Sequence, residues 1–355
     1  MVAKNQLFQV GELRESELEE AGRIVRLAFG TFLGIPNPLE FMGDRDFVSP
    51  RWRSRNTKVL AAREDGKLIG SNVVTRWGSF GFFGPLGVLP DYWNRGVAQQ
   101  LLAATMKVFD RWGVRRSGLF TFPHSTKHVG LYQKFGYWPG YLTSIMKRAP
   151  AAALPVAANG APAIPELLHP GTVLPSGVFP KKTPPFAKPH RARELGNRSV
   201  PMLLSALPRS EREQAIAACA NLANKLERGL DLSDEIRAVV AQRTGEVPLL
   251  YGRNTLDAFA VCMHGPGSEG GEKICYVKFA AASSGEWFER LLDAIDALAL
   301  ERGAEVEAGV STACADAFAR MRSRGYLPVT LGVAMQRPHG KGFNRPGAYV
   351  LSDWR

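Results

Sequence analysis

The chain has 355 residues, more than one average domain needs, and it reads as two domains. Its 45% hydrophobic and 22% charged residues are ordinary for a globular protein and are enough to build a core without metals or disulfides. The net charge of +12 has three readings: a nucleic-acid or membrane surface, an anionic small molecule, or plain solubility, the commonest. No nucleic-acid motif accompanies the charge, so nucleic acid is not expected as a partner.

Cys219, Cys262, Cys275 and Cys314 form no CxxC pair and stand beside no His cluster. No metal site is therefore expected, and their apolar surroundings predict reduced, buried packing residues in a cytoplasmic protein. The first ten residues lack the apolar core and cleavage site of a signal peptide. No run of about 18 apolar residues is present, so no membrane span is expected.

Residues 1–148 alternate strands and helices. A strand is expected at 7–10. A helix is expected from Ser16, where Glu19 completes a capping-box pattern and Leu18, Ala21, Val25 and Ala28 recur at helical spacing. Residues 30–56 are loop-rich, with Pro36, Pro38 and Pro50. Strands at 58–63 and 68–76 are joined by the turn signal Glu64-Asp65-Gly66. There follow a strand at 80–89, a helix at 96–112, a strand at 117–122, a helix at 125–135 and a strand at 137–147. Residues 149–198 read as a Pro/Ala-rich linker that turns basic at Lys181, Lys182, Lys188, His190, Arg191 and Arg193.

Residues 199–355 repeat the style. Helices are expected at 209–226 and 233–242, and strands at 248–252, 257–264 and 273–280. A helix at 285–302, a strand at 306–310, a helix at 313–324 and a strand at 326–336 complete it. From the hairpin onward the order matches the first half, which predicts an internal duplication.

One segment carries chemistry. After the apolar strand ending at Pro90, a short turn leads through Gly96 into an amphipathic helix. Helix N-termini carry unpaired N–H groups and a partial positive charge, and small residues at 96 and 98 admit a phosphate to that backbone. The physics predicts an anion cradle.

The surrounding pattern resembles motif A of the GNAT superfamily, the acyl-CoA-dependent N-acyltransferases. Val88-Leu89-Pro90 is similar to the family's strand end, and Arg95-Gly96-Val97-Ala98 to its pyrophosphate loop. Trp93 departs from the family's Gln/Arg. The stretch from His124 and Ser125 through Tyr132 to Gly136-Tyr137 resembles motif B. The resemblance covers residues 5–148. It implies an α/β (α+β) fold of two GNAT-like domains, each a mixed, mostly antiparallel sheet flanked by helices with a splayed strand pair. Residues 1–148 would be the acyl-CoA-binding catalytic domain, 149–198 the linker and 199–355 a degenerate copy.

The resemblance also implies the site. The co-substrate is acetyl-CoA or another acyl-CoA, its pyrophosphate on the N–H groups of Asn94, Arg95, Gly96, Val97, Ala98 and Gln99, with Ser125 contacting CoA. Pantetheine would run along Leu86, Gly87 and Val88. The Val88 N–H would meet the thioester carbonyl and stabilise the oxyanion. Tyr132 would act as general acid toward the departing thiolate. The expected strands lack a carboxylate base, so His124 is the candidate base, with Glu40, Asp44 and Asp46 able to act through a water. Phe29, Phe32, Phe41 and Met42 suggest an acceptor with some apolar surface, or core packing.

In the second half, aligning Gly303 with Gly113 places Met321 at the Tyr132 position, Gly285-Glu286-Trp287-Phe288 at the loop, and Lys278 near Val88. A carboxylate and two aromatics there would block a pyrophosphate. The leading expectation is an N-acyltransferase acting on an amine of a small molecule or protein, as a monomer or homo-oligomer. The alternatives are a CoA-binding pseudoenzyme or sensor, and other acyl-CoA chemistry on the same scaffold.

Overall fold

A computed structural model describes residues 8–149, 201–253 and 255–354 of the chain. Apart from Ala149, the linker expected at 149–198, with its basic residues, lies outside them. The first half runs β1 (Gln9–Glu12), α1 (Leu18–Phe32), α2 (Ser49–Trp52), β2 (Thr57–Glu64), β3 (Lys67–Trp77), β4 (Phe80–Val88), α3 (Val97–Arg111), β5 (Arg116–Thr121), α4 (Thr126–Gln133) and β6 (Trp138–Arg148). The second half runs β7 (Met202–Leu203), α5 (Arg209–Leu226), α6 (Ser233–Gln242), β8 (Gly245–Glu246), β9 (Pro248–Tyr251), β10 (Leu256–Gly265), β11 (Gly271–Ala282), α7 (Gly285–Glu301), β12 (Glu305–Ser311), α8 (Ala315–Ser323), β13 (Leu327–Arg337) and β14 (Tyr349–Leu351).

Successive residues of a strand point to opposite faces of its sheet. On β2, Val59 and Ala61 pack with α1 residues Leu18, Ala21, Ile24 and Val25. Their neighbours Leu60 and Ala62 pack with α3 residues Val97, Leu101 and Leu102. Helices α1 and α3 therefore cover opposite faces. Burying each large apolar side chain of these stripes contributes about 1.5–3 kcal/mol.

The capping box expected at Ser16 is not formed. Ser16 lies inside a 3-10 turn at Glu15–Glu17, and the Glu17 carboxylate accepts from the Arg14 N–H at 2.8 Å.

The sheet is continuous through both halves, in the order β1-β2-β3-β4-β5-β13-β6-β12-β11-β10-β9-β7. The two long C-terminal strands are exchanged. β13, from the second half, lies between β5 and β6 and is antiparallel to both. β6, from the first half, lies between β13 and β12. Each half therefore completes the other's sheet.

A buried ionic cluster reinforces this junction. Arg51 on α2 donates to both oxygens of Glu269, at 3.0 and 2.6 Å. Lys278 on β11 bridges Glu269 (2.5 Å) and Glu235 (2.7 Å). Glu235 also accepts from Asn56 and from the Trp77 indole, both at 3.0 Å. Burial would raise the Glu269 carboxyl, but the charges of Arg51 and Lys278 overcome it and hold the group down at about 2. Arg51 spends its remaining terminal nitrogen on the carbonyl of Gly84 in β4, at 2.7 Å.

All four cysteines are buried and unpaired. No helix among the described residues is long and apolar enough to cross a membrane.

Candidate active site

Strands β4 and β5 are parallel neighbours only at Phe80↔Arg116, Gly81↔Ser117 and Phe82↔Gly118. Beyond Phe82 they diverge. The cause is local: the β3–β4 register shifts between Asn72 and Val74, where Gly84 and Pro85 form a bulge that bends the strand. Gly84 sits at φ 132°, a conformation that favours glycine. Its carbonyl is the one held by Arg51, so the second half braces the point where the strands part.

The ladder decides which atoms face the gap. Leu89 donates to Ile69 at 2.9 Å, in register with Val88↔Gly70, Gly87↔Ser71 and Leu86↔Asn72. Hydrogen-bonded and non-hydrogen-bonded pairs alternate along an antiparallel ladder. Leu86 and Val88 are non-bonded positions, so their N–H and C=O groups point away from β3 into the gap. Gly87 spends its own polar groups on β3. Its contribution is space: a Cβ there would lie 3.2 Å from the Val25 backbone. The Val88 carbonyl accepts from the Trp93 indole at 2.8 Å. That bond gives Trp93, the departure from the family pattern, a local role, and the Val88 N–H is left facing the gap.

At the mouth of the gap the chain turns through Asn94 (φ 65°) and Gly96 (φ 87°) into α3. No side chain caps this helix. Among the described residues no hydrogen bond engages the N–H groups of Val97, Ala98 or Gln99; the first helical donor in use is Gln100, to Gly96, at 3.1 Å. Asn94, Arg95, Gly96, Val97, Ala98 and Gln99 all line one cleft with Leu86, Val88 and Tyr132, about 990 Å³ in volume.

Tyr132 lies on the α3/α4 face, its ring 5.8 Å from Phe83. Burial pushes its phenol up to about 12, with Thr121 on β5 pulling the other way. The proton therefore stays on at neutral pH.

His124 is exposed on the turn after β5, stacked on Phe32 at 6.0 Å, and it does not line the cleft. Ser125 caps α4, accepting from the His128 N–H at 3.4 Å, and it too lies outside the lining. The side chain that enters the cleft is His128, which the sequence reading missed. It stands one helical turn before Tyr132, at the i, i+4 spacing that puts two residues on one face. Its ring is 4.8 Å from that of Phe32. Burial, with lesser contributions from Lys127 and His124, holds its pKa below the ordinary histidine value.

The three acids are spent elsewhere. Asp44 accepts from the Glu272 N–H (2.7 Å), Asp46 from Val48 and Ser49 (2.8 and 2.9 Å), and Glu40 from the Asn37 side chain (2.9 Å).

The corresponding gap of the second half is closed. β11 and β12 pair at Ile274–Val277 with 305–308, and β14 then pairs with Ala280, Ala281 and Ala282. The protein's own strand thus takes the exposed edge. Ser284 caps α7, accepting from the Trp287 N–H at 3.3 Å. A Cβ on Gly285 would lie 2.8 Å from the Arg320 guanidinium and 2.9 Å from the Tyr349 hydroxyl. Lys278, aligned near Val88 by sequence, belongs instead to the ionic cluster, because the loop before α7 is much shorter than the one before α3. At the Tyr132 position, Met321 is fully buried.

These features define a class: an α/β fold whose splayed parallel strands open a cleft onto an uncapped helix N-terminus. Residues 31–137 match the family model described as acetyltransferase (GNAT) family. The match falls within the first half and spans the splayed strands and the α3 N-terminus.

Among solved structures, a protein from Pyrococcus horikoshii described as a candidate acetyltransferase is similar over 98% of this chain and 95% of its own, at 15% identity and a TM-score of 0.62. At that identity the likeness is one of fold, and it extends across both halves. A GCN5-related N-acetyltransferase from Anabaena variabilis covers 93% of this chain and 72% of its own, at 12% identity and a TM-score of 0.47. An N-acetyltransferase from Thermoplasma acidophilum in complex with coenzyme A covers 38% and 92%, at 17% identity and a TM-score of 0.32. No curated protein matches the chain.

Proposed function

We propose that the protein is an N-acyltransferase that takes acetyl-CoA, in the simplest case, and passes its acyl group directly to a bound amine. One observation carries the reading: the free N–H groups of the α3 N-terminus, the strand edge of Leu86 with the Val88 N–H, and the buried Tyr132 phenol share one cleft.

The α3 N–H groups suit a diphosphate, by hydrogen bonding and by the helix dipole together. The pantetheine amides find strand-like partners in the N–H and C=O of Leu86. The amine nitrogen attacks the thioester carbonyl. The oxyanion formed there is stabilised by the Val88 N–H. The C–S bond then breaks, and the thiolate takes the Tyr132 proton. We assign the amine's proton to His128, directly or through a water, rather than to His124. In this reading the second half is a degenerate copy that braces β4, and its cofactor gap is filled by β14.

Mixing protein, acetyl-CoA and an amine should release CoA thiol and yield an amide one acetyl group heavier by mass spectrometry. The acid limb of kcat should reflect a pKa below the ordinary histidine value, activity falling as His128 takes up a proton. His128→Ala should lower kcat about 100-fold or more and remove that limb, while His124→Ala changes little. Thiol release without an acylated product would contradict the proposal. An unchanged pH profile in His128→Ala would return the base to another group.

A further inference from the structure

The gap passes through the sheet, and its two faces differ in chemistry. Tyr132, Thr121 and the α3 N-terminus stand on the α3/α4 face. The α1 face presents Phe29, Phe32, Phe41, Met42, Phe122 and Trp354, brought together from α1, the following loop, the end of β5 and the C-terminal tail. Phe29 stacks on Phe41 at 5.5 Å with planes 7° apart, and Phe32 meets Phe122 at 5.2 Å. The four phenylalanines are only half-buried, although they sit among other apolar groups, because they border the cleft. Trp354 closes the floor against β5: a Cβ on Gly118 would lie 2.6 Å from its ring. Among the described residues no Asp or Glu lines the cleft, and its charged lining includes Lys134 and, near the α3 mouth, Lys127.

We infer that the acceptor is a primary amine on an apolar, ring-bearing body with no second cationic group. The inference rests on the acyltransferase reading above and names the substrate class of that site. A flat aromatic body lies against the exposed edges and faces of these rings and removes apolar surface from water. A diamine or polyamine finds no carboxylate among the described lining residues to pair its second ammonium, whose desolvation is then uncompensated. The same wall assists the chemistry. An amine must be neutral to attack, and apolar surroundings disfavour its ammonium form. The wall thereby supplies part of what a strand carboxylate would otherwise do.

The test compares acceptors with acetyl-CoA fixed: 2-phenylethylamine, putrescine and a lysine-containing peptide, scored by amide mass and thiol release. The expected result is a kcat/KM for 2-phenylethylamine about 100-fold or more above that for putrescine. Phe41→Ser should raise the KM for 2-phenylethylamine about tenfold or more and shift the KM for acetyl-CoA less than about twofold, since Phe41 lies across the sheet from the α3 mouth. Preference for putrescine or the peptide overturns the acceptor class and leaves the acyltransferase reading standing. So does a preference for long-chain acyl-CoA with a small polar amine, because the wall would then hold the acyl chain. Failure to acylate any amine overturns the parent reading and this inference with it.

Discussion

Replacing Tyr132 with Phe is expected to lower kcat about 10²- to 10⁴-fold, the usual worth of a positioned proton donor, with CoA binding preserved. The substitution removes one hydroxyl and keeps the ring that packs near Phe83 and the core around α3. The fold should therefore survive, and far-UV circular dichroism would check this. The lost atom is a donor whose burial keeps it protonated up to about 12, so it can give its proton to a thiolate at any physiological pH. For the same reason Tyr132 should contribute no basic limb to the rate profile in the neutral range. A Phe variant with unchanged kcat would remove Tyr132 from the chemistry and reduce it to packing.

The second large effect concerns stability and reaches the site through Arg51. Glu269→Ala should cost about 3–5 kcal/mol in denaturant unfolding, the range for breaking a buried ion pair. Arg51 and Lys278 would be left buried, each having lost a carboxylate partner. The pH dependence has a definite sign. The folded carboxyl is held down at about 2, below its unfolded value near 4.3. Its stabilisation is fully present above about pH 4.5 and is lost as pH falls toward 2. The wild-type protein should weaken across that window more steeply than the variant. Because Arg51 also holds the Gly84 carbonyl at the bulge, the variant should lose kcat even under conditions where it stays folded. Equal stability of the two proteins would show that the cluster is not what joins the halves here.

Much of this architecture was legible in the sequence. Helices α5 and α6 fall at the bounds expected for them, and most of the longer strands within a residue or two, because apolar alternation and turn signals are local. The turn at the mouth of the cleft was also legible as a strand-to-helix connection through Gly96, although a glycine there serves a tight turn whether or not a ligand binds. The pairing of β6 with β12 and of β13 with β5 was not, since nothing local to a strand names a partner some two hundred residues away. β14 was missed because three residues carry too little period to register. Which histidine lines the cleft was open to reading from the sequence: His128 stands four residues before Tyr132, on the same helical face, whereas His124 precedes the helix. Lys278 could not be read, since its ion-pair partners Glu235 and Glu269 come from other elements.

Titration of CoA into the wild type and an Ala98→Asp variant tests the central claim most directly. Ala98 is in the first turn of α3, where a carboxylate favours the helix dipole by about 0.3–1 kcal/mol, so the variant should be at least as stable. The same carboxylate would stand at the proposed diphosphate site. The account predicts that CoA affinity falls at least about tenfold through like-charge repulsion, with the melting temperature unchanged or raised. Equal affinity for CoA in the two proteins would contradict it.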